Sequence, residues 1–345
     1  MDCKISIVLV SLLSICTGAP RGGIFNPYED GPFTIQHVHV GSLFQPSLDE
    51  NLDIWAPTEA GTYPIMYYLT GGAMMTAGTT YSQMLSHIAS HGLVIVTMNR
   101  LSMAAPSEKV PYFEDTMNWA EINLEDKLHG DGIPVDVHLD FKTLIGAAHS
   151  AGNHVLVEYL KHTCGNFLAL IFHDPVDGAD PMGIMDDWCI TPGEFLNFDI
   201  PTYHLSAGLD PAVGDSPSNL GMSCAPAHMS NERFWNALNR NSPRWSVNAT
   251  KFGHMDFVDP EFNTGGFCAA NNEATDEDFD AYRKFVAGQT INFISAVFED
   301  DCTPYLSEIE NPSNYIVEGS VRVENSGDSC PTPYCTWEPL PSPAP

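Results

Sequence analysis

The sequence predicts an α/β fold in which a mostly parallel central sheet carries helices on both faces. Three observations predict it. Short apolar runs alternate with segments of helical spacing from Thr34 to about Phe298. Some of those runs, such as Tyr63 to Leu69 and Leu93 to Met98, are apolar almost throughout, as strands buried on both faces must be. A further run, Phe141 to Gly146, leads through Ala147-Ala148-His149-Ser150-Ala151-Gly152 into a helical pattern carried by Val155, Leu156, Tyr159 and Leu160. That is a strand, a tight turn and a helix, the repeating unit of a parallel sheet.

The chain begins with a different signal. Lys4 supplies a minimal positive flank, Ile5 to Cys16 is an apolar run, and Thr17-Gly18-Ala19 offers small residues for cleavage. Residues 1–18 therefore read as a secretory signal peptide, with a signal anchor as the alternative. The expected compartment is extracellular, with no integral membrane segment in the mature chain. Pro20 to Pro32 is Gly- and Pro-rich and reads as an irregular lead-in.

Thr34 to Val40 and Leu52 to Trp55 alternate apolar and polar residues, as outer strands do. Tyr63 to Leu69 is a buried strand stopped at Thr70-Gly71-Gly72. Tyr81 to His91 has helical spacing (Met84, Leu85, Ile88), Leu93 to Met98 is another strand, and Asp115 to Leu128 is an amphipathic helix. After the Ser150 turn come strands at Phe167 to Phe172, Ile200 to Ser206 and Trp245 to Phe252. The last helix is Asp276 to Phe298. Thr275 caps it, Asp276, Glu277 and Asp278 sit at its positive end, and Phe279, Tyr282, Phe285 and Val286 form its buried stripe. One domain, residues 19–300, accommodates all of these elements. Residues 301–345 read as a Pro-, Ser- and acid-rich tail, extended or disordered.

Composition narrows the function. A chain of 345 residues with 43% hydrophobic residues can bury a large core. Its formal charge of −30 repels a phosphate backbone and argues against nucleic acid as a partner. Loss of the signal peptide takes Cys3 and Cys16 and leaves Cys164, Cys189, Cys224, Cys268, Cys302, Cys330 and Cys335. An oxidising compartment pairs most of them, with one left free or intermolecular. Cys330 and Cys335 are close enough to close a small loop, and Cys224 and Cys268 are further candidates; the remaining connectivity is open. Asn248-Ala249-Thr250 is a glycosylation sequon on an exported chain.

The chemistry centres on Ser150. A serine between small residues at a strand-to-helix turn is a nucleophile elbow, usually G-x-S-x-G, here with Ala148 for the first glycine. An ordinary serine in the same turn is the bland alternative. A serine hydroxyl needs a histidine to take its proton. In the α/β-hydrolase order the histidine follows the acid and the last strand, which selects His254 in Phe252-Gly253-His254-Met255-Asp256. His149 neighbours the serine and is expected to point away from it. His37 and His39 share a strand face, and His87 and His91 lie one helical turn apart, but the second pair lacks the glutamate of a zinc hydrolase helix and reads as helix surface. The acid is Asp174 or Asp210, each at a strand end on the carboxyl edge of the sheet. Spacing alone does not separate them. The N–H of Ala151 and that of Gly72, in the glycine turn after the third strand, are the expected oxyanion donors. Met74, Met75, Met255 and Phe257 form either an apolar wall for a greasy substrate or plain core.

Five separated stretches resemble the chlorophyllases, α/β-hydrolases that cleave the phytyl ester of chlorophyll. They are Gln83 to Val96, Ala148 to Gly152, Asp174-Pro175-Val176-Asp177-Gly178, Cys224-Ala225-Pro226 with Asn231-Glu232-Arg233-Phe234, and Gly253-His254-Met255-Asp256. The resemblance implies an α/β-hydrolase fold with Ser150 as nucleophile, His254 as base and Asp174, from the D-P-V stretch, as acid. Plant members typically carry G-H-S-R-G-G at the elbow and His-Gly after the third strand, where this chain has Ala148 to Asn153 and Thr70-Gly71. The implied activity is hydrolysis of chlorophyll or a similar hydrophobic ester through an acyl-enzyme. Within the same class stand a general secreted lipase, a cutinase-like enzyme or a phospholipid acyl-ester hydrolase; from a different class stands an inactive hydrolase-fold binding protein. No cofactor or metal is implied.

Overall fold

The computed structural model describes residues 26–42, 48, 50–100, 102, 104–178, 187–215, 221–262, 268–327 and 330–337. The leader expected at residues 1–18 lies outside them.

A nine-stranded sheet runs in the order β1-β2-β4-β3-β5-β6-β8-β9-β10. Its strands are β1 (Ile35–Val40), β2 (Asn51–Pro57), β3 (Gly61–Leu69), β4 (Val94–Asn99), β5 (Val137–His149), β6 (Phe167–His173), β8 (Thr202–Ala207), β9 (Arg244–Ala249) and β10 (Gly319–Glu324). From β4 through β9 all neighbours are parallel; β1 and β2 at one edge and β10 at the other are antiparallel. A second, two-stranded ribbon joins β7 (Phe198–Asp199) to β11 (Thr336–Trp337).

Helices cover both faces, as the all-apolar strands require. Helices α3 (Val110–Gly130) and α4 (Gly152–Leu160) pack on one side, where Tyr67, Phe113, Leu124, Leu156 and Phe172 share a core. On the other, α2 (Ser82–Ala89) and α6 (Asp276–Phe298) bury Leu85, Ile88, Phe285 and Phe293 against Tyr68, Ile95 and Trp245. Tyr67 and Tyr68 thus serve opposite cores, as the period of two along a strand dictates. Thr275 caps α6 with a reciprocal capping box to Asp278.

Boundaries differ where polar residues hide an element. α3 starts at Val110, upstream of Asp115, because Pro111 fits a first helical turn. β5 starts at Val137 because Val137 to Asp140 pair with Gly61 to Pro64, across a register irregularity after Pro64. β9 stops at Ala249, where the Phe252 N–H turns back to the Ala249 carbonyl.

The chain after Asp300 corrects the expectation of an extended tail. It folds back on the domain through α7 (Thr303–Glu310), whose Ile309 is fully buried, and through β10, paired along its length with β9. The expected Cys330–Cys335 loop is also corrected. Cys330 bonds Cys302 and Cys335 bonds Cys164, because both segments run along the folded body instead of turning on themselves. Cys224 and Cys268 bond each other, and among the described residues Cys189 is free and buried. The sequon asparagine Asn248 lies within β9, between β8 and β10, half-buried with its Oδ1 enclosed.

Candidate active site

The elbow is built by close backbone approach. After β5, Ser150 adopts φ +54° and the chain enters α4 at Gly152. A Cβ on Gly152 would stand 2.3 Å from the Leu69 carbonyl oxygen and 2.7 Å from that of Thr70, so glycine is required there. That contact sets the first turn of α4 beside the end of β3. Ala148 fits, fully buried, in place of a glycine. The Ser150 N–H donates to the His173 carbonyl (3.1 Å), and the Asn153 amide braces the turn by donating to the carbonyls of Ala148 and Ser150 (3.1 Å each).

His254 reaches the serine from the loop after β9. Gly253 lets that loop pass against the backbone at Ala269, where a Cβ would lie 1.7 Å from the carbonyl oxygen. Asp256 ties the loop by accepting from the N–H groups of Gly253 (2.8 Å) and Asn271 (3.0 Å). The result is a hydrogen bond of 2.8 Å between Ser150 Oγ and His254 Nε2 and one of 2.5 Å between His254 Nδ1 and Asp174 Oδ2. Asp174, just past β6, is fully buried, and its Oδ1 accepts from the Ala207 N–H (2.9 Å) and the Asn231 amide (2.8 Å).

The charges respond to this crowding. Burial by itself raises a carboxyl pKa, but contacts with Asp210, His254 and the Ala207 N–H hold Asp174 well below the usual carboxylate range. Burial by itself lowers a histidine, yet the carboxyls of Asp174 and Asp210 outweigh it and raise His254. Asp210 also arrives here, its Oδ2 3.4 Å from His254 Nδ1. Both acids picked from the sequence therefore face the same nitrogen, Asp174 at the shorter distance.

The loop after β3, a short turn α1 (Gly71–Met74), has φ of +62° at Gly72 and +52° at Ala73. It sits over the start of α4, so the Gly72 and Ala151 N–H groups belong to adjoining segments. The Ala151 N–H precedes the first turn of α4, where intrahelical bonding leaves donors available. Of the suggested apolar wall, Met74 and Phe257 are core, while Met75 and Met255 remain partly exposed.

The His149 ring packs against that of His254, with centroids 4.6 Å apart, and its two nitrogens bond the Tyr81 hydroxyl and the His254 carbonyl rather than Ser150. His87 and His91 are not helix surface. Both are buried and donate to the Pro27 and Glu29 carbonyls (3.0 Å each), pinning the lead-in segment to α2. His37 and His39 both address Asp53 Oδ1, at 3.1 and 2.9 Å.

Asn231, unassigned from sequence although it stands in one of the resembling stretches, bridges His204 Nε2 (2.9 Å) to Asp174. Asp177 is a structural hub. Its oxygens accept from the N–H groups of Cys189 (2.8 Å) and Ile190 (3.1 Å) and from Arg233 Nε (2.7 Å), with His154 Nδ1 at 3.0 Å. Burial and the Asp177 charge push the neighbouring Cys189 thiol well above its ordinary pKa, which leaves it unreactive.

The family model described as Chlorophyllase matches residues 24–319. The chain belongs to the chlorophyllase family. It is similar to chlorophyllase type 0 of Chenopodium album, at 28% identity over 86% of each chain. It is also similar to chlorophyllase-1 of Arabidopsis thaliana, at 29% identity over 70% of this chain and 74% of that one, and to chlorophyllase-2 of the same plant, at 25% over 80% and 90%. As a chlorophyllase-family α/β-hydrolase it is a carboxylic-ester hydrolase. Among the described residues no helix is long and apolar enough to cross a membrane.

Proposed function

We propose that the chain hydrolyses hydrophobic carboxylic esters through a Ser150–His254–Asp174 triad. The unbroken hydrogen-bonded path from Ser150 Oγ through the imidazole to Asp174 carries this reading. With Nδ1–H directed at Asp174, the neutral imidazole presents Nε2 to the serine hydroxyl. His254 Nε2 takes the proton as Oγ attacks the ester carbonyl, and the oxyanion that forms is held by the N–H groups of Ala151 and Gly72. His254 then gives its proton to the leaving alkoxide, which departs as the alcohol and leaves an acyl group on Ser150. Water, deprotonated by His254, releases the acid and restores the serine. Asp174 holds the imidazole in the required tautomer and stabilises its charged form.

The substrate proposed is chlorophyll, cleaved at its phytyl ester, in keeping with the names carried by the relatives. Partly exposed Met75 and Met255 beside the site suit an apolar chain. Secretion is proposed from the leader sequence, and three disulfides support an oxidising compartment.

The test is hydrolysis by purified protein of chlorophyll a beside a short-chain p-nitrophenyl ester, with Ser150→Ala as blank. Chlorophyllide formed only with the intact serine supports triad and substrate together. Cleavage of the small ester alone keeps the triad and removes chlorophyll, while turnover by the alanine variant removes the triad.

A further inference from the structure

β6 and β8 are neighbours in the sheet, so the residues beyond their carboxyl ends, Asp174 and Asp210, arrive at one imidazole. The three groups keep their reacting atoms within 4.8 Å of one another. The Asp210 side chain is 1% exposed, and neither of its oxygens accepts a hydrogen bond from an N–H or O–H among the described residues. Asp174 is the opposite case, with the Ala207 N–H, the Asn231 amide and His254 Nδ1 all donating to it. A buried carboxylate without donors is costly, and two carboxylates sharing a site do not both ionise freely. Protonated, Asp210 becomes a donor itself, with the Asp174 carboxylate as its acceptor.

We propose that Asp210 is a second acid for His254, holding a proton against Asp174 in the resting protein and accepting the Nδ1–H when Asp174 is lost. The inference rests on the triad assigned above. Asp210 acts through Asp174 and His254 and is a positioning residue. Its titration agrees with the geometry, since burial first and the Asp174 charge second push its carboxyl up to about 8.

The other titratable groups facing this cluster are His149 at the end of β5, His173 at the end of β6, His204 of β8, Tyr282 of α6 and Asp256 of the His254 loop. Burial depresses the three histidines and raises the tyrosine, so these four stay neutral. Asp256 is occupied by two backbone N–H groups. Proton exchange within the cluster is thereby confined to Asp174, Asp210 and His254.

The experiment measures kcat/KM for a short-chain p-nitrophenyl ester against pH in the full-length protein and in Asp174→Asn, Asp210→Asn and the double variant. A triad with one acid loses about four orders of magnitude when that acid becomes an amide. With Asp210 available, Asp174→Asn is expected to stay at least about tenfold more active than the double variant. In the double variant the acid limb of the profile lies at lower pH than in Asp174→Asn, because the last carboxylate beside His254 is gone. Asp210→Asn alone leaves the limb in place, a neutral amide replacing a carboxyl that already holds its proton. Equal activity of Asp174→Asn and the double variant overturns the proposal, as does an acid limb common to those two variants. An acid limb that Asp210→Asn alone moves to lower pH, the mark of a carboxylate that was charged, overturns it as well. If Asp210→Asn does not fold, Asp210→Ser carries the same two comparisons. Full turnover by Ser150→Ala would sink the triad itself, a failure separate from that of Asp210.

Discussion

His149 donates its Nε2–H to the main-chain carbonyl of His254 across 3.1 Å. Its Nδ1 accepts from the Tyr81 hydroxyl at 2.8 Å, and that hydroxyl accepts from the Gly71 N–H at 3.1 Å. The residue before the serine therefore links the glycine turn after β3 to the loop that carries the base. Burial, followed by the neighbouring His254 charge, keeps His149 neutral, which is the state this donor–acceptor chain requires. His149→Phe fills the space but leaves the Tyr81 O–H without its acceptor and the His254 carbonyl without its donor. The expected cost is about 1–3 kcal/mol of stability with about a tenfold fall in kcat/KM if the loop shifts. Denaturant titration beside ester turnover measures both, and a variant with wild-type values in each would dismiss the link.

The pH dependence has a definite sign. The base must be neutral to accept the serine proton, and the carboxyls around His254 overcome burial to raise its pKa. The acid limb of kcat/KM is therefore expected on the alkaline side of an ordinary histidine, whose pKa is about 6.5. Activity should climb through neutrality and beyond. A plateau already reached at mildly acid pH would contradict the raised value.

Two glycine exchanges at the elbow should behave oppositely. Gly152→Ala drives a Cβ into the Leu69 and Thr70 carbonyls, displacing the turn that carries Gly72. A loss of about a hundredfold or more in kcat/KM is expected, following the cost of misplacing reacting groups by about 1 Å. Ala148→Gly restores the usual elbow residue at a position without a positive φ; it should cost about 0.5–1 kcal/mol of stability and little turnover. Steady-state kinetics with thermal melts distinguishes the two.

Removal of residues 301–345 would take away β10, α7 and two disulfides, and would deprive Trp245 Nε1 of its 2.7 Å bond to Glu310. A native disulfide alone is worth about 2–4 kcal/mol, so the truncated protein should melt at least about 5 °C lower. An unchanged melting temperature would show the docked segment to be dispensable.

Most of what positions the site was legible in the sequence because it rests on local signals. Buried parallel strands such as β3, β4 and β6 are apolar runs, and Ser150 and His254 each lie at a glycine-marked turn following a strand. The missed parts are those whose cause is distant. β10 alternates Val321 and Val323 with Ser320, Arg322 and Glu324 in an edge strand with one face exposed, so within a polar tail its period was too short to stand out. The Cys164–Cys335 bond spans 171 positions and depends on how that tail docks. His149 and Asn231 each act through two hydrogen bonds to residues that only the folded sheet brings near. The choice between Asp174 and Asp210 was open because neighbouring strands deliver both to one nitrogen.

The strand that closes the β9 edge of the sheet is synthesised after every residue of the proposed triad. β9, whose end launches the His254 loop, has an unpaired edge until Gly319–Glu324 is laid beside it. Ser150, Asp174 and His254 are all made earlier, so every residue of the proposed triad exists in a nascent chain that still presents an open strand. Open edges recruit other strands, and unfinished sheets are where aggregation begins. A premature stop between His254 and β10 would thus yield a product with its full chemical complement and no means of staying apart from its copies.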